Sequence, residues 1–245
     1  MDFNTYSKTF LHVHSVEIPE LLASVLRKKS SITIADLGAG DGSLLVGLKL
    51  QGHLKNAKKV IAVDLSEERC LRLKQIKGFS VVCADVTKVD KLKNNTIDLI
   101  ICTQVIEHVD QYKLLQEIKR LLRPDGILYI ASIVKKPYGW WYYKTAKGEW
   151  ALDPTHLREY KSKEEFESVL VSSGFKIMQT KLSRLKLSII EFILRRLIVP
   201  IFKPKNANAY FLKYRFMNFL RKNINIYPLG YFIVEVIADK MNIHK

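Results

Sequence analysis

The sequence predicts a doubly wound α/β domain, and three observations carry the prediction. Short apolar, β-branched runs recur along the first half of the chain and each ends in a carboxylate: Ile32–Ala35 before Asp36, Val60–Val63 before Asp64, and Val81–Ala84 before Asp85. Helical patterns separate these runs at the interval a strand–helix–strand unit needs. Between the first run and its helix stands Asp36-Leu37-Gly38-Ala39-Gly40-Asp41-Gly42, with three glycines at alternate positions. Such a turn is tight, and it brings bare backbone and the unpaired N–H groups of a helix start up to a ligand. In sheets of this kind ligands sit at the carboxyl ends of the strands.

Taken in order, a helix is expected from Pro19 to Lys29, where Pro19 suits the first turn and Leu21, Leu22, Val25 and Leu26 form the apolar face. Ahead of it, Tyr6 and His14 either pack or lie over a ligand, and packing is the favoured reading. A helix opens at Ser43 after the glycine turn. The second strand ends at Asp64, which lies 22 residues after Gly42, close to the ~20-residue interval at which a carboxylate meets a ribose. Its plainer role is to cap the helix Glu67–Lys77, a role Ser66 can also fill. A third strand leads to Asp85. The fourth, Ile97–Gln104, leads directly into Val105-Ile106-Glu107-His108-Val109. An amphipathic helix, Tyr112–Leu122, is stopped by Arg123-Pro124-Asp125-Gly126, and a strand follows over Ile127–Ser132.

Composition sets the limits. The 245 residues are 48% hydrophobic, enough for one large α/β domain. Cys70, Cys83 and Cys102 lack metal-type spacing and read as reduced core residues. The amino terminus has no basic-then-apolar leader pattern, so a cytoplasmic protein is expected. Lys and Arg number 40 against 24 Asp and Glu, a net charge of +16. From Lys176 to Lys222 twelve basic residues face only Glu191, a local charge of +11. This concentration suits anionic lipid, nucleic acid or an anionic substrate; a lysine-biased surface is the bland alternative.

The turn reads Asp-x-Gly-x-Gly-x-Gly, not the dinucleotide fingerprint Gly-x-Gly-x-x-Gly. With Glu107-His108-Val109, Leu122-Arg123-Pro124-Asp125-Gly126, and the later Thr155–Tyr160, Gly174–Ile177 and Gly230–Lys240, it resembles the class I S-adenosylmethionine (SAM) methyltransferases, of the group that includes the ubiquinone-biosynthesis O-methyltransferases. The resemblance implies a Rossmann-like, seven-stranded, mostly parallel sheet with an antiparallel last strand. Helices cover both faces, and residues 1–245 form a single domain. It also implies SAM as methyl donor and S-adenosylhomocysteine as product. The implied cofactor contacts are Asp36, Gly38, Gly40, Asp64 on the ribose, Leu65, Asp85 and Val86 on the adenine edge, Thr103 and Gln104.

Two stretches depart from that pattern. The loop Val134–Asp153 carries Tyr138, Trp140, Trp141, Tyr142, Tyr143 and Trp150, which either stack on an acceptor or pack against a neighbouring insertion. The second is a basic, apolar insertion over residues 181–229. Within it, Leu187–Phe202 sums unfavourably for a membrane span, because eleven apolar residues at about −0.5 kcal/mol each do not offset Glu191, Arg195 and Arg196 at about +3 each. Wound as a helix, this run puts Leu187, Ile190, Leu194, Leu197, Ile198 and Ile201 on one face. A second basic-aromatic helix spans Tyr210–Lys222. Residues 185–222 can therefore contact a membrane surface peripherally, line an acceptor pocket, or form a lid or dimer surface.

For chemistry, a hydroxyl acceptor needs a base. His108 is the first candidate, with Glu107 orienting it or helping to seat the cofactor, and His156 is the second. Each has a plainer reading, as a residue shaping the pocket or fixing a loop. A metal pattern of Glu-x-x-Glu-His plus a later His, as in small-RNA 2′-O-methyltransferases, fails at its first position, where Gln104 stands; no metal is expected. RNA remains a possible acceptor on charge grounds, and a non-catalytic SAM-fold subunit is the remaining alternative.

Overall fold

The computed structural model describes residues 15, 17–141, 143–144, 148–153, 155–193 and 215–241. Tyr6, His14, Tyr142 and most of the run Leu187–Phe202 fall outside these residues. Seven strands form one sheet: β1 Ile32–Leu37, β2 Ala57–Asp64, β3 Ser80–Cys83, β4 Ile97–Thr103, β5 Leu122–Lys135, β8 Phe175–Arg184 and β11 Tyr231–Lys240. The intervening numbers belong to two-residue strands outside this sheet: β6 Tyr143–Lys144 with β7 Trp150–Ala151, and β9 Leu187–Ser188 with β10 Asn225–Ile226.

Strand order is β3-β2-β1-β4-β5-β11-β8, and only β11 runs antiparallel to its neighbours β5 and β8. The order reverses beside β1, so the glycine turn and the carboxyl ends of β2 and β4 meet there. Side chains alternate across the sheet. Ile32, Ile34, Leu99 and Ile101 pack on one face with Leu22, Leu26, Leu45 and Leu48; Ala35, Leu37, Ile100 and Cys102 pack on the other with Leu114, Ile118, Phe166 and Leu170. β1, β4 and the second half of β2 are buried on both faces, which explains why their runs are apolar throughout.

The helices start and stop where side chains supply or withhold backbone partners. The first spans Glu20–Lys28 behind Pro19. Ser66 caps Glu67–Lys74 by accepting from the Arg69 amide at 3.3 Å; that helix ends three residues earlier than the sequence pattern suggests, where the Gln75 and Ile76 amides turn back to the Arg72 and Leu73 carbonyls. Asp110 caps Gln111–Leu121 through the Tyr112 and Lys113 amides, and Ser162 caps Lys163–Ser172.

One expectation needs correcting. Leu187 and Ser188 are not helical: they pair antiparallel with Ile226 and Asn225, and the helix begins only at Ile189. Backbone pairing to a distant strand outcompetes local helix propensity there. Arg215–Asn223 is helical, as the second pattern suggests. Among the described residues no helix is long and apolar enough to cross a membrane.

Candidate active site

The glycine turn is held from three directions. Gly38, Gly40 and Gly42 have φ of 78°, 58° and 78°, a region that residues with a Cβ avoid. A Cβ on Gly38 would also lie 2.3 Å from Val105 Cγ2. The Gly38 and Ala39 amides donate to the Val63 carbonyl at 2.8 Å each. Asp41, buried beneath the turn, accepts from Arg72 Nε at 2.6 Å, tying the turn to the next helix. Asp41 and Arg72 escaped sequence reasoning, and nothing in a single Asp 31 residues before an Arg signals their pairing.

Asp64 closes β2 and is buried. Its Oδ2 accepts from the Gly40 amide at 2.8 Å and its Oδ1 from the Ser66 amide at 2.9 Å, with Arg69 Nη1 at 4.0 Å from Oδ2. Burial raises its pKa, against the Ser66 amide, the Arg69 charge and the Gly40 amide, which lower it. Each carboxylate oxygen has two lone pairs, so one acceptor site per oxygen is left after these bonds. Leu65 beside it is exposed at 54%, an apolar side chain presented at the strand end. At β3, the exposed Asp85 uses Oδ1 to accept from the Thr87 amide and hydroxyl, both at 2.8 Å. Val86 is buried beneath it. Thr103 ends β4, and exposed Gln104 takes φ of 53° while its amide donates to the Ala131 carbonyl.

Asp36 lies at the same edge, fully enclosed. Burial, and then the nearby Asp64 carboxylate, push it up to about 7. A buried carboxyl so raised sits where a ligand cation would return it to its ionised form. The turn's bare backbone, the open helix start at Ser43 and this acidic lining fit a nucleoside bearing an amino-acid tail and positive charge.

The stretch after β4 meets a segment from fifty residues downstream. Arg158 Nη1 donates to the Ile106 and Val109 carbonyls, both at 2.6 Å. The Leu157 amide donates to the Glu107 carbonyl at 2.8 Å, and Val134 bridges to Tyr160. His108 and His156 are thereby brought edge to face with ring centroids 4.7 Å apart. The Thr155 hydroxyl donates to Asp153 Oδ1 at 2.6 Å and lies 2.9 Å from His108 Nδ1. A hydroxyl has one proton, and it is committed to Asp153; Thr155 therefore accepts from His108 Nδ1–H. That fixes the tautomer and leaves the Nε2 lone pair as the reactive site. Burial, then the neighbouring His156, push the His108 imidazole down to about 4, with Asp153 opposing.

His156 is buried, and its Nδ1 lies 2.8 Å from Glu159 Oε1, which also accepts from the Leu152 amide. Glu107 is wholly buried, and neither carboxylate oxygen has a formed hydrogen bond. Ser132 and the Ile133 amide face it closely enough to favour its charge slightly, as does His156, but burial dominates and raises it to about 7. Glu107 therefore does not touch His108 through a hydrogen bond; Thr155 and Asp153 do the orienting that sequence reasoning gave to Glu107. The signal was in Asp153-Pro154-Thr155, where an Asp side chain can bond the backbone two residues on; the Thr155 amide donates to Asp153 Oδ1 at 2.8 Å.

Comparison with known proteins follows the same lines. Residues 35–130 match the family described as "Methyltransferase domain". An uncharacterized protein of Methanocaldococcus jannaschii is 30% identical over 141 residues, 55% of this chain and 56% of that protein. The ubiquinone biosynthesis O-methyltransferase of Rickettsia prowazekii is 28% identical over 131 residues, 52% of this chain and 51% of that one. An (S)-coclaurine N-methyltransferase of Thalictrum flavum is 26% identical over 58% of this chain and 40% of its own. The chain thus spans roughly half the length of such relatives or less.

Solved structures share the architecture at low identity. The YcgJ protein of Bacillus subtilis superposes with a TM-score of 0.57 at 14% identity, covering 91% of this chain and 97% of its own. The [4+2]-cyclase SpnF gives 0.60 at 15%, covering 97% and 90%.

Proposed function

We propose that this chain is a class I SAM-dependent methyltransferase, a reading supported by the match of residues 35–130 to the methyltransferase-domain family and by the shared fold, and that it methylates a hydroxyl group, with His108 as the base. SAM, when bound, supplies an electrophilic methyl carbon on a sulfonium. Asp64 offers its two remaining acceptor sites to the ribose hydroxyls while its other lone pairs hold the Gly40 amide of the turn and the Ser66 amide. Asp85 has one oxygen engaged by Thr87 and the other open for the adenine amine. Gly38 and Gly40 admit the amino-acid tail against bare backbone, and Asp36 meets its ammonium. Leu65, Val86, Thr103 and Gln104 complete the walls.

The observation that carries the reading is the chain Asp153–Thr155–His108, which leaves Nε2 of His108 unprotonated. With SAM bound, the methyl–sulfur bond would break as the acceptor oxygen takes the methyl, leaving S-adenosylhomocysteine, and His108 Nε2 would accept the hydroxyl proton and release it to water. Burial that holds this imidazole down near 4 makes it a weak base, and an acidic hydroxyl such as a phenol or enol, with a pKa of about 10 or below, asks least of it. His156 and Glu159 hold the loop that supplies Thr155.

Relatives of similar identity are named for methyl transfer to nitrogen and to oxygen, so acceptor chemistry is the point to test. Methyl-labelled SAM should carry label into the small-molecule or lipid fraction of a cell lysate with wild-type protein and not with His108→Gln. Label confined to RNA or protein, or equal transfer by His108→Gln, would overturn the reading.

A further inference from the structure

The departures noted in the sequence, the aromatic loop and the basic insertion, turn out to be one surface. β5 ends at Lys135 opposite Tyr231, and β8 ends at Arg184 opposite Phe232. The segments that follow β5 and β8 and precede β11 therefore all leave the sheet at the edge where the glycine turn, Asp64 and Asp85 stand. Two turns there are locked together. The Lys136 amide donates to the Gly230 carbonyl at 2.8 Å and the Trp140 amide to the Leu229 carbonyl at 3.2 Å. Gly230, at φ 73°, lies so close to Gly139 that a Cβ would sit 2.5 Å from its Cα.

From this locked pair Tyr138, Trp140, Tyr227 and Leu229 project into solvent, each more than half exposed. The helix Arg215–Asn223 adds Phe216 and Phe219, one turn apart on one face and 69% and 61% exposed. Its opposite side is anchored, because buried Arg221 pairs with Glu191. Glu191, the sole acidic residue between Lys176 and Lys222, is thereby engaged inward. Exposed Lys222, Arg184 and Lys144 flank the apolar side chains.

We propose that this aromatic, basic edge docks on an anionic lipid bilayer, with the methyl-donor edge facing the membrane. Trp, Tyr and Phe mixed with Lys and Arg is the composition that lies in a headgroup layer, with rings in the acyl boundary and cations on anionic headgroups. The alternative of stacked nucleic-acid bases fits less well. Lys144 Nζ covers the Trp150 ring at 4.5 Å and Trp140 leans on that ring at 59°. Leu229 has no π-face to offer a base.

The test is co-sedimentation of the full chain with sucrose-loaded vesicles of phosphatidylcholine alone or with 30% phosphatidylglycerol. Binding to the anionic vesicles should exceed that to the neutral ones at least tenfold and fall in 0.5 M salt. Trp140→Ala with Phe219→Ala should lose most of it, while S-adenosylhomocysteine binding by calorimetry, measured without vesicles, stays within twofold of wild type. Equal partition onto both vesicle types overturns the proposal, as does a double variant that binds like wild type. Tighter binding to single-stranded RNA, weakened by the same two substitutions, overturns it in favour of nucleic acid. Failure of the SAM reading would show separately, as absent calorimetric binding in the wild type.

Discussion

The two halves of the candidate site are built by different means. On the donor side, partners are near in sequence or on the neighbouring strand: Asp85 bonds Thr87, Asp64 bonds Ser66 and Gly40, and the Gly38 amide bonds Val63. On the acceptor side they come from far away. His108 meets Thr155 across 47 positions, and Trp140 meets Leu229 across most of the second half of the chain. On the donor side Asp64 and Asp85 each hold backbone amides, whereas Glu107 on the acceptor side lies buried with no formed hydrogen bond. A shared cofactor can be gripped by a local, prebuilt cradle. An acceptor site is assembled from loops, and its strain and exposure mark where specificity is carried.

The sharpest way to separate the halves is to disable one and measure the other. His108→Gln should lower kcat by about 10²–10⁴ while S-adenosylhomocysteine affinity by calorimetry stays within threefold. Thr155→Val should cost on the order of tenfold in kcat, and Thr155→Ser should restore it, since only the hydroxyl fixes the tautomer. The pH profile carries a further signature. A base held down to about 4 is unprotonated above that value, so kcat/KM should rise with pH through about 4 and not through the ordinary histidine range. An acid limb near 6.5 in the wild type would mean that His108 is not the group titrating.

Cutting the other way, Asp64→Ala should weaken S-adenosylhomocysteine at least ~100-fold, because it removes two charge-assisted contacts and the tie to Gly40. Asp64→Asn keeps one acceptor and should lose about tenfold. If Asp64→Ala binds the product as well as wild type, the cradle does not hold the ribose.

This contrast explains what could be read from the chain alone. Strand ends with a carboxylate, a glycine turn and an Asp-Gly helix stop are signals a few residues long, so the sheet and the donor residues Asp36, Gly38, Asp64 and Asp85 stand out. The short strand at Leu187 did not, because its partner Asn225–Ile226 lies nearly forty residues on and its own pattern is helical. Nor did the role of Thr155 in orienting His108, since no spacing rule links a residue after β4 to a loop hydroxyl. His156 was singled out but not its partner Glu159, and Glu107, expected to orient His108 or to help seat the cofactor, makes no formed hydrogen bond to His108.

Glu107 offers a test of stored strain. Its folded pKa is about 7 against 4.5 for the free side chain, so the folded state holds the proton more tightly. Stability from this group is complete below about 4.5 and is lost as pH rises towards 7. The shift corresponds to roughly 3 kcal/mol above pH 7, and Asp36 acts in the same direction. Glu107→Gln should therefore raise Tm at pH 8 by on the order of 6–12 °C and make little difference at pH 4.5. A variant less stable than wild type at pH 8 would show that the carboxylate is paired in solution.

A last test belongs to the seam between the halves, where Gly38 of the glycine turn lies against Val105 of the stretch after β4. Gly38→Ala meets two separable obstacles: a φ of 78° that alanine resists, and a Cβ only 2.3 Å from Val105 Cγ2. Together they should cost about 1–3 kcal/mol in urea unfolding. Adding Val105→Ala removes the clash but not the backbone strain, so the double variant should recover part of the loss, measured against Val105→Ala alone. Full recovery would mean that the turn tolerates alanine and that packing alone demands glycine. No recovery would mean that the backbone conformation alone demands it, and that the two halves meet without constraining each other.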